Sequence, residues 1–231
     1  MNWKNKKIMK TIFKLFIVSS LMILLFLSCE QKSMKIPNSP TWQLIQKHPN
    51  DEKVLRQAFI RFFSKNRLKD AVLLFDLKKN QLEKDTNLTT RIYVATLICI
   101  KAGQATDIPE KLNWLRQGMM KFNSLEKEFP NNIQVRVWRA TTYSQMPSFL
   151  SLENEINQDI SKFVNLTSNI NYKNISNEVS MIYKAILETT LKYKDSKMLT
   201  YTSIIEKRDK YYSSSKIQEQ INNIKNKLNE N

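Results

Sequence analysis

Glycine is nearly missing from this chain of 231 residues, with only Gly103 and Gly118 present. A loop that cradles phosphate, or a turn that binds a dinucleotide, needs several glycines within a few positions, so neither can be built here. His48 is the single histidine, which excludes the common zinc sites that take two. Cysteine is limited to Cys29 and Cys99, too few for a disulfide framework once Cys29 is accounted for below. Cys99 lies in the apolar stretch Val94–Ile100, where a neutral thiol is favoured and the residue serves as a small core side chain. Serine, threonine and tyrosine are plentiful but lack a nearby base. Glu153, Glu155 and Asp159 share one helix beside its apolar stripe and read as its solvated edge. These absences predict a protein that is not an enzyme, with no cofactor and no metal.

The N-terminus is the most informative stretch. Lys4, Lys6, Lys7, Lys10 and Lys14 form a basic flank without an acid, and Leu15 to Leu27 follows as an apolar run of thirteen residues. That order is the n-region and h-region of an export signal. A helix crossing a bilayer takes about 20 residues, so the run has signal length rather than anchor length. Phe26-Leu27-Ser28-Cys29 then resembles the lipobox of bacterial lipoproteins, in the looser form found among spirochaete lipoproteins, with Phe26 where Leu is usual. The resemblance implies cleavage after Ser28, a diacylglyceryl group on the Cys29 thiol, palmitate on the protein and attachment to a membrane. Residues 1–28 are thus expected to be a lipoprotein signal peptide. Residues 29–40, with Lys, Ser, Asn and two prolines, read as a flexible tether, and residues 41–231 as the folded domain. The expected location is the cell envelope, at the outer membrane or cell surface rather than the inner membrane.

Formal charge is +16 for the chain and +11 without residues 1–28. The lysines are scattered through every segment. Export and the lack of a recognised module exclude nucleic acid as a partner.

Apolar spacing from residue 41 onward is helical. Thr41 is read as N-cap of a short helix, Trp42–Lys47, stopped by Pro49. Leu55, Ala58, Phe59 and Phe62 predict a helix opened by Pro49-Asn50-Asp51 and broken at Lys65-Asn66. Leu68, Ala71, Val72 and Phe75 predict its partner. A second pair starts near Asn87: the first helix is apolar nearly all round and ends at Gly103, and the second is capped by Asp107 and Glu110 with Leu112, Leu115, Met119 and Phe122 as its buried stripe. Pro130-Asn-Asn-x-x-Val135 with Tyr143 repeats Pro49-Asn-Asp-x-x-Val54 with Phe62 at a displacement of 81 residues, the length of two helix pairs. Ser148 is read as the cap of the next helix, with Phe149, Leu152, Ile156, Ile160 and Phe163 on one face. A loop through Asn171 follows, then helices marked by Ile175, Val179, Ile182 and Ile186 and by Met198, Tyr201 and Ile205. A last helix, capped by Ser215, carries Ile217, Ile221, Ile224 and Leu228.

Leu55, Ala58, Phe62, Leu68, Ala71 and Phe75 resemble the tetratricopeptide repeat, with Phe59, Lys78 and Glu83 departing from its small, small and proline positions. The resemblance implies an all-α fold, an α-α superhelix of three to four helix pairs with a C-terminal capping helix. It also implies a groove lined by the first helix of each pair. Lys53, Arg56, Ile60 and Phe63 are the matching groove positions of the first unit, and Arg136 and Arg139 are candidates in the third. The expected function is a non-catalytic scaffold that binds a protein or peptide partner in the envelope through that groove. The alternative is a surface-exposed lipoprotein that binds host molecules or acidic ligands through a basic face.

Overall fold

A computed structural model describes residues 36–194 and 196–208, together with residues 222, 223 and 226. Among them the fold is all-α, with nine α-helices, three short 3-10 turns and no strand. The expected signal peptide (residues 1–28), Cys29, most of the expected tether, and Ile217, Ile221, Ile224 and Leu228 of the expected last helix lie outside the described residues. Asn222, Asn223 and Asn226 are helical and exposed. The described residues fall into two compact units divided between Met119 and Met120.

In the first unit, α1 (Pro40–Lys47) is capped by Ser39, whose hydroxyl accepts from the Trp42 amide, and Pro40 occupies the first turn. The cap is therefore Ser39 and not Thr41: proline at the first helical position has no amide to satisfy and its fixed φ already suits the helix. Helix α2 (Glu52–Ser64) starts on Asp51, which accepts from the amides of Lys53 and Val54. Its far end closes with Asn66 in the left-handed region (φ 54), the Arg67 amide donating to Phe62 O and the Asn66 amide to Phe63 O. This pair of bonds is a Schellman closure with asparagine in the place glycine usually takes. Helix α3 (Leu68–Lys84) packs back on α2 and is interrupted by non-helical angles at Lys78, one of the positions departing from the repeat pattern. Helix α4 (Leu88–Gln104), capped by Asn87, packs against both α2 and α3, which is why it is apolar nearly all round.

Helix α5 (Ile108–Glu128) begins on Asp107, which accepts from the Glu110 amide at 2.7 Å. Its buried side chains are Leu115, Phe122 and Leu125. Leu112, expected in the stripe, is 38% exposed, because the core is met from Leu115 onward and not by the first turn.

In the second unit, α6 (Ile133–Ser144) begins on Asn132, α7 (Glu153–Leu166) and α8 (Ser176–Tyr193) each pack on α6, and α9 (Leu199–Arg208) packs on α7 and α8. Ser148 does not cap α7. It opens a 3-10 turn, Ser148–Leu150, after which Ser151 turns left-handed (φ 52) and α7 starts at Glu153 without a side-chain cap. The 81-residue spacing holds between α2 of the first unit and α6 of the second, since α2 starts at residue 52 and α6 at 133, both behind an Asx cap. Within each unit that helix packs against the next two.

Candidate functional site

Lys53, Arg56, Ile60 and Phe63 do share one face of α2, but their exposure falls along it. Lys53 is exposed, Arg56 and Ile60 are half-buried, and Phe63 is buried. The Phe63 ring stacks on Tyr93 of α4 with centroids 4.5 Å apart and planes 14° off parallel. Tyr93 belongs to a strip of half-buried α4 residues, Thr89, Tyr93, Ile100 and Gly103, at the spacings of one helical face. Gly103 has open space where a Cβ would stand. Helices α2 and α4 thus present Lys53, Arg56 and Ile60 on one side and the Tyr93 strip on the other.

Arg56 is held by Asp85, which lies just past α3, at 2.7 Å from Nε to Oδ2. The Asp85 side chain is 5% exposed and its other oxygen accepts from the Asn87 amide at 2.8 Å. The hydrogen bond to Asp85 raises the Arg56 guanidinium above its ordinary pKa, so the charge is fixed. Around the pair is a cleft of about 90 Å³ lined by Glu52, Leu55, Lys84 and Thr86 among others. Pockets that enclose small molecules run to roughly 300–1,000 Å³, so this depression suits a single side chain and not a metabolite.

Arg136 and Arg139 are not surface residues. Each is 3% exposed, and both point into the second unit toward Asp159, which is 0% exposed. Arg139 binds it as a fork, Nε to Oδ2 at 2.7 Å and Nη2 to Oδ1 at 2.8 Å, and Arg136 Nη1 reaches Oδ1 at 2.9 Å. Arg136 also donates to Glu126 at 2.6 Å and to the Pro130 carbonyl. Two cations thus meet two carboxylates inside a core. Burial raises the Asp159 carboxyl, while Arg139 and then Arg136 pull it back.

Two sequence readings are corrected by this cluster. Arg136 and Arg139 cannot line a groove, and Asp159 is no solvated edge. The signal was in the 81-residue spacing: Leu55, Ala58 and Phe62, all core residues, fall on Arg136, Arg139 and Tyr143. The groove positions fall instead on Gln134, Val137, Thr141 and Ser144, a face that α8 covers through Thr141 to the Met181 carbonyl and Ser144 to Glu188.

Cys99 is buried against α5, and burial pushes its thiol up to about 12, as suits a core residue. Lys192 was not singled out in the sequence. Its ammonium donates to the carbonyls of Ser144 and Met146 at the end of α6, and burial lowers its pKa to about 8 against the pull of Glu188. Among the described residues no helix is long and apolar enough to cross a membrane. Comparison with protein-family models, with curated proteins and with solved structures gives no match.

Proposed function

We propose that the protein is a lipid-anchored adaptor of the cell envelope, tethered through Cys29, whose α2–α4 surface binds a segment of a protein partner without catalysis. The observation that carries the reading is the Arg56–Asp85 pair, on the same face of α2 as Phe63, whose ring Tyr93 covers. A fixed cation and the half-buried Tyr93 ring, offered on rigid helices, are the kinds of group that anchor a peptide. A cleft sized for one side chain next to them fits a partner read by a few residues and not a small substrate. Tetratricopeptide-like stacking of the helix pairs remains part of this proposal, supported by the repeated Asx-capped helix that packs on its next two neighbours in each unit. The anchor rests on the order of basic flank, short apolar run and Ser28-Cys29.

The test has two arms. Wild-type protein is expected to incorporate labelled palmitate, and Cys29→Ser to lose it; unchanged labelling would sink the anchor. Cross-linked pull-down from the protein's own envelope is expected to recover a partner that Lys53→Glu with Arg56→Gln loses, at unchanged circular dichroism. Phe63 is left intact in this variant because it is a core residue. If the recovered proteins are the same for both, the α2–α4 surface is not the binding face.

A further inference from the structure

The segment from Arg61 to Asp70, which joins α2 to α3, carries four cations, Arg61, Lys65, Arg67 and Lys69, against one acid, Asp70. That acid is already engaged: it accepts from Trp42 Nε1 at 2.7 Å and from Arg67 Nε at 2.8 Å. Arg61, Lys65 and Lys69 are exposed and form no ion pair with the described residues. They are displayed by a stiff turn, since the Schellman closure at Asn66 fixes the backbone and the Arg67 guanidinium sits over the Phe62 ring at 4.9 Å.

The chain also enters its folded body at this end. Trp42, in the first turn of α1, packs on Phe62 near the end of α2 with ring centroids 5.4 Å apart, and bonds to Asp70 near the start of α3. Helix α1 therefore runs antiparallel to α2, with the Ser39 cap beside the basic turn. Cys29 precedes Ser39 by ten residues, which span at most about 36 Å when fully extended. At the opposite end of α2 the cations Lys47, Lys53 and Lys78 are interspersed with the carboxylates Asp51 and Glu52, and Arg56 is paired with Asp85.

We infer that the α2–α3 turn, through Arg61, Lys65 and Lys69, docks on the anionic headgroups of the membrane to which the chain is tethered. The inference rests on the Cys29 anchor proposed above. The tether keeps the turn near the bilayer, and each lysine or arginine at an anionic surface adds an attraction that salt screens over about 8 Å at physiological strength. Docking this end directs Lys53, Arg56 and the start of α2 away from the lipid, where a partner can reach them.

The test is a lysine footprint of the lipidated full chain in vesicles of phosphatidylcholine alone or mixed with phosphatidylglycerol, using an amine-reactive label read by mass spectrometry. Lys65 and Lys69 are expected to label about five-fold more slowly in the anionic vesicles, while Lys47 and Lys53 are unchanged. Salt at ~1 M, where screening acts within ~3 Å, should remove the difference. Arg61→Gln with Lys69→Gln should reduce the protection of Lys65. Equal labelling in both vesicles overturns the inference while the palmitate assay leaves the anchor standing. If no palmitate is found, the anchor fails, and the same footprint with the full chain added to the vesicles judges the turn alone, absence of protection again overturning it. Protection of Lys65 by soluble polyglutamate but not by anionic vesicles replaces lipid with an acidic protein and also overturns it.

Discussion

Arg139 grips Asp159 through two parallel bonds of 2.7 and 2.8 Å, and neither side chain is more than 3% exposed. The pair joins α6 to α7, and Arg136 and Glu126 complete a charge-balanced cluster around it.

Removing only the acid leaves two buried cations short of one charge. Asp159→Asn is expected to cost about 3–5 kcal/mol in urea unfolding, the usual penalty for breaking a buried pair from one side. Replacing Arg139 and Asp159 together by leucine leaves the Arg136–Glu126 pair balanced and should cost less than the single change. A double variant weaker than Asp159→Asn would show that the pair contributes more than an apolar core in its place.

Gly118 stands directly against Cys99. A Cβ there would overlap Sγ and lie 3.2 Å from both Ala95 O and Cys99 N. Alanine in a helix interior is ordinarily better than glycine by about 1 kcal/mol. Here overpacking should win, so that Gly118→Ala destabilises by about 1–3 kcal/mol. Adding Cys99→Ala should recover part of the loss, because the sulfur is the nearest obstacle; denaturant unfolding of the four proteins in the cycle checks the coupling. With its thiol pushed to about 12 by burial, Cys99 should react with iodoacetamide at pH 8 only after unfolding.

Lys192 makes stability depend on alkaline pH. Its pKa falls from 10.5 to about 8 in the fold, chiefly through burial, so between those values the unfolded chain holds a proton that the folded chain has released. Stability contributed by this group therefore rises as pH increases from about 8 to 10.5. Relative to Lys192→Met, wild type should gain melting temperature across that window and stay level below pH 7. A falling difference would mean that the carbonyls of Ser144 and Met146 hold the ammonium charged more strongly than burial discharges it.

Most elements were legible in the sequence because helix patterning is local. Asp51, Asn87, Asp107 and Asn132 each cap the helix that follows, as their positions before apolar periods imply. The two misplaced caps have local causes as well. Pro40 shifts the first start to Ser39, and Ser151 in the left-handed region delays α7 past Ser148. Of the positions that the tetratricopeptide resemblance assigned to a groove, Lys53 is exposed and Arg56 half-buried, while Phe63 is closed off by Tyr93, thirty positions on, a contact that no local pattern records.

What the sequence by itself determined is the all-α fold, the order of helices and the 81-residue return of an Asx-capped first helix, since each follows from hydrogen bonds and apolar spacing within a few turns. Only the tertiary structure decided the fate of the charges. Arg139 is buried because Asp159 meets it from another helix, while Lys65 and Lys69 remain in solvent, with no carboxylate of the described residues paired to them. A charged side chain goes inside only when an opposite charge is there to offset its lost hydration, and the partner is chosen by packing between helices, not by spacing along one.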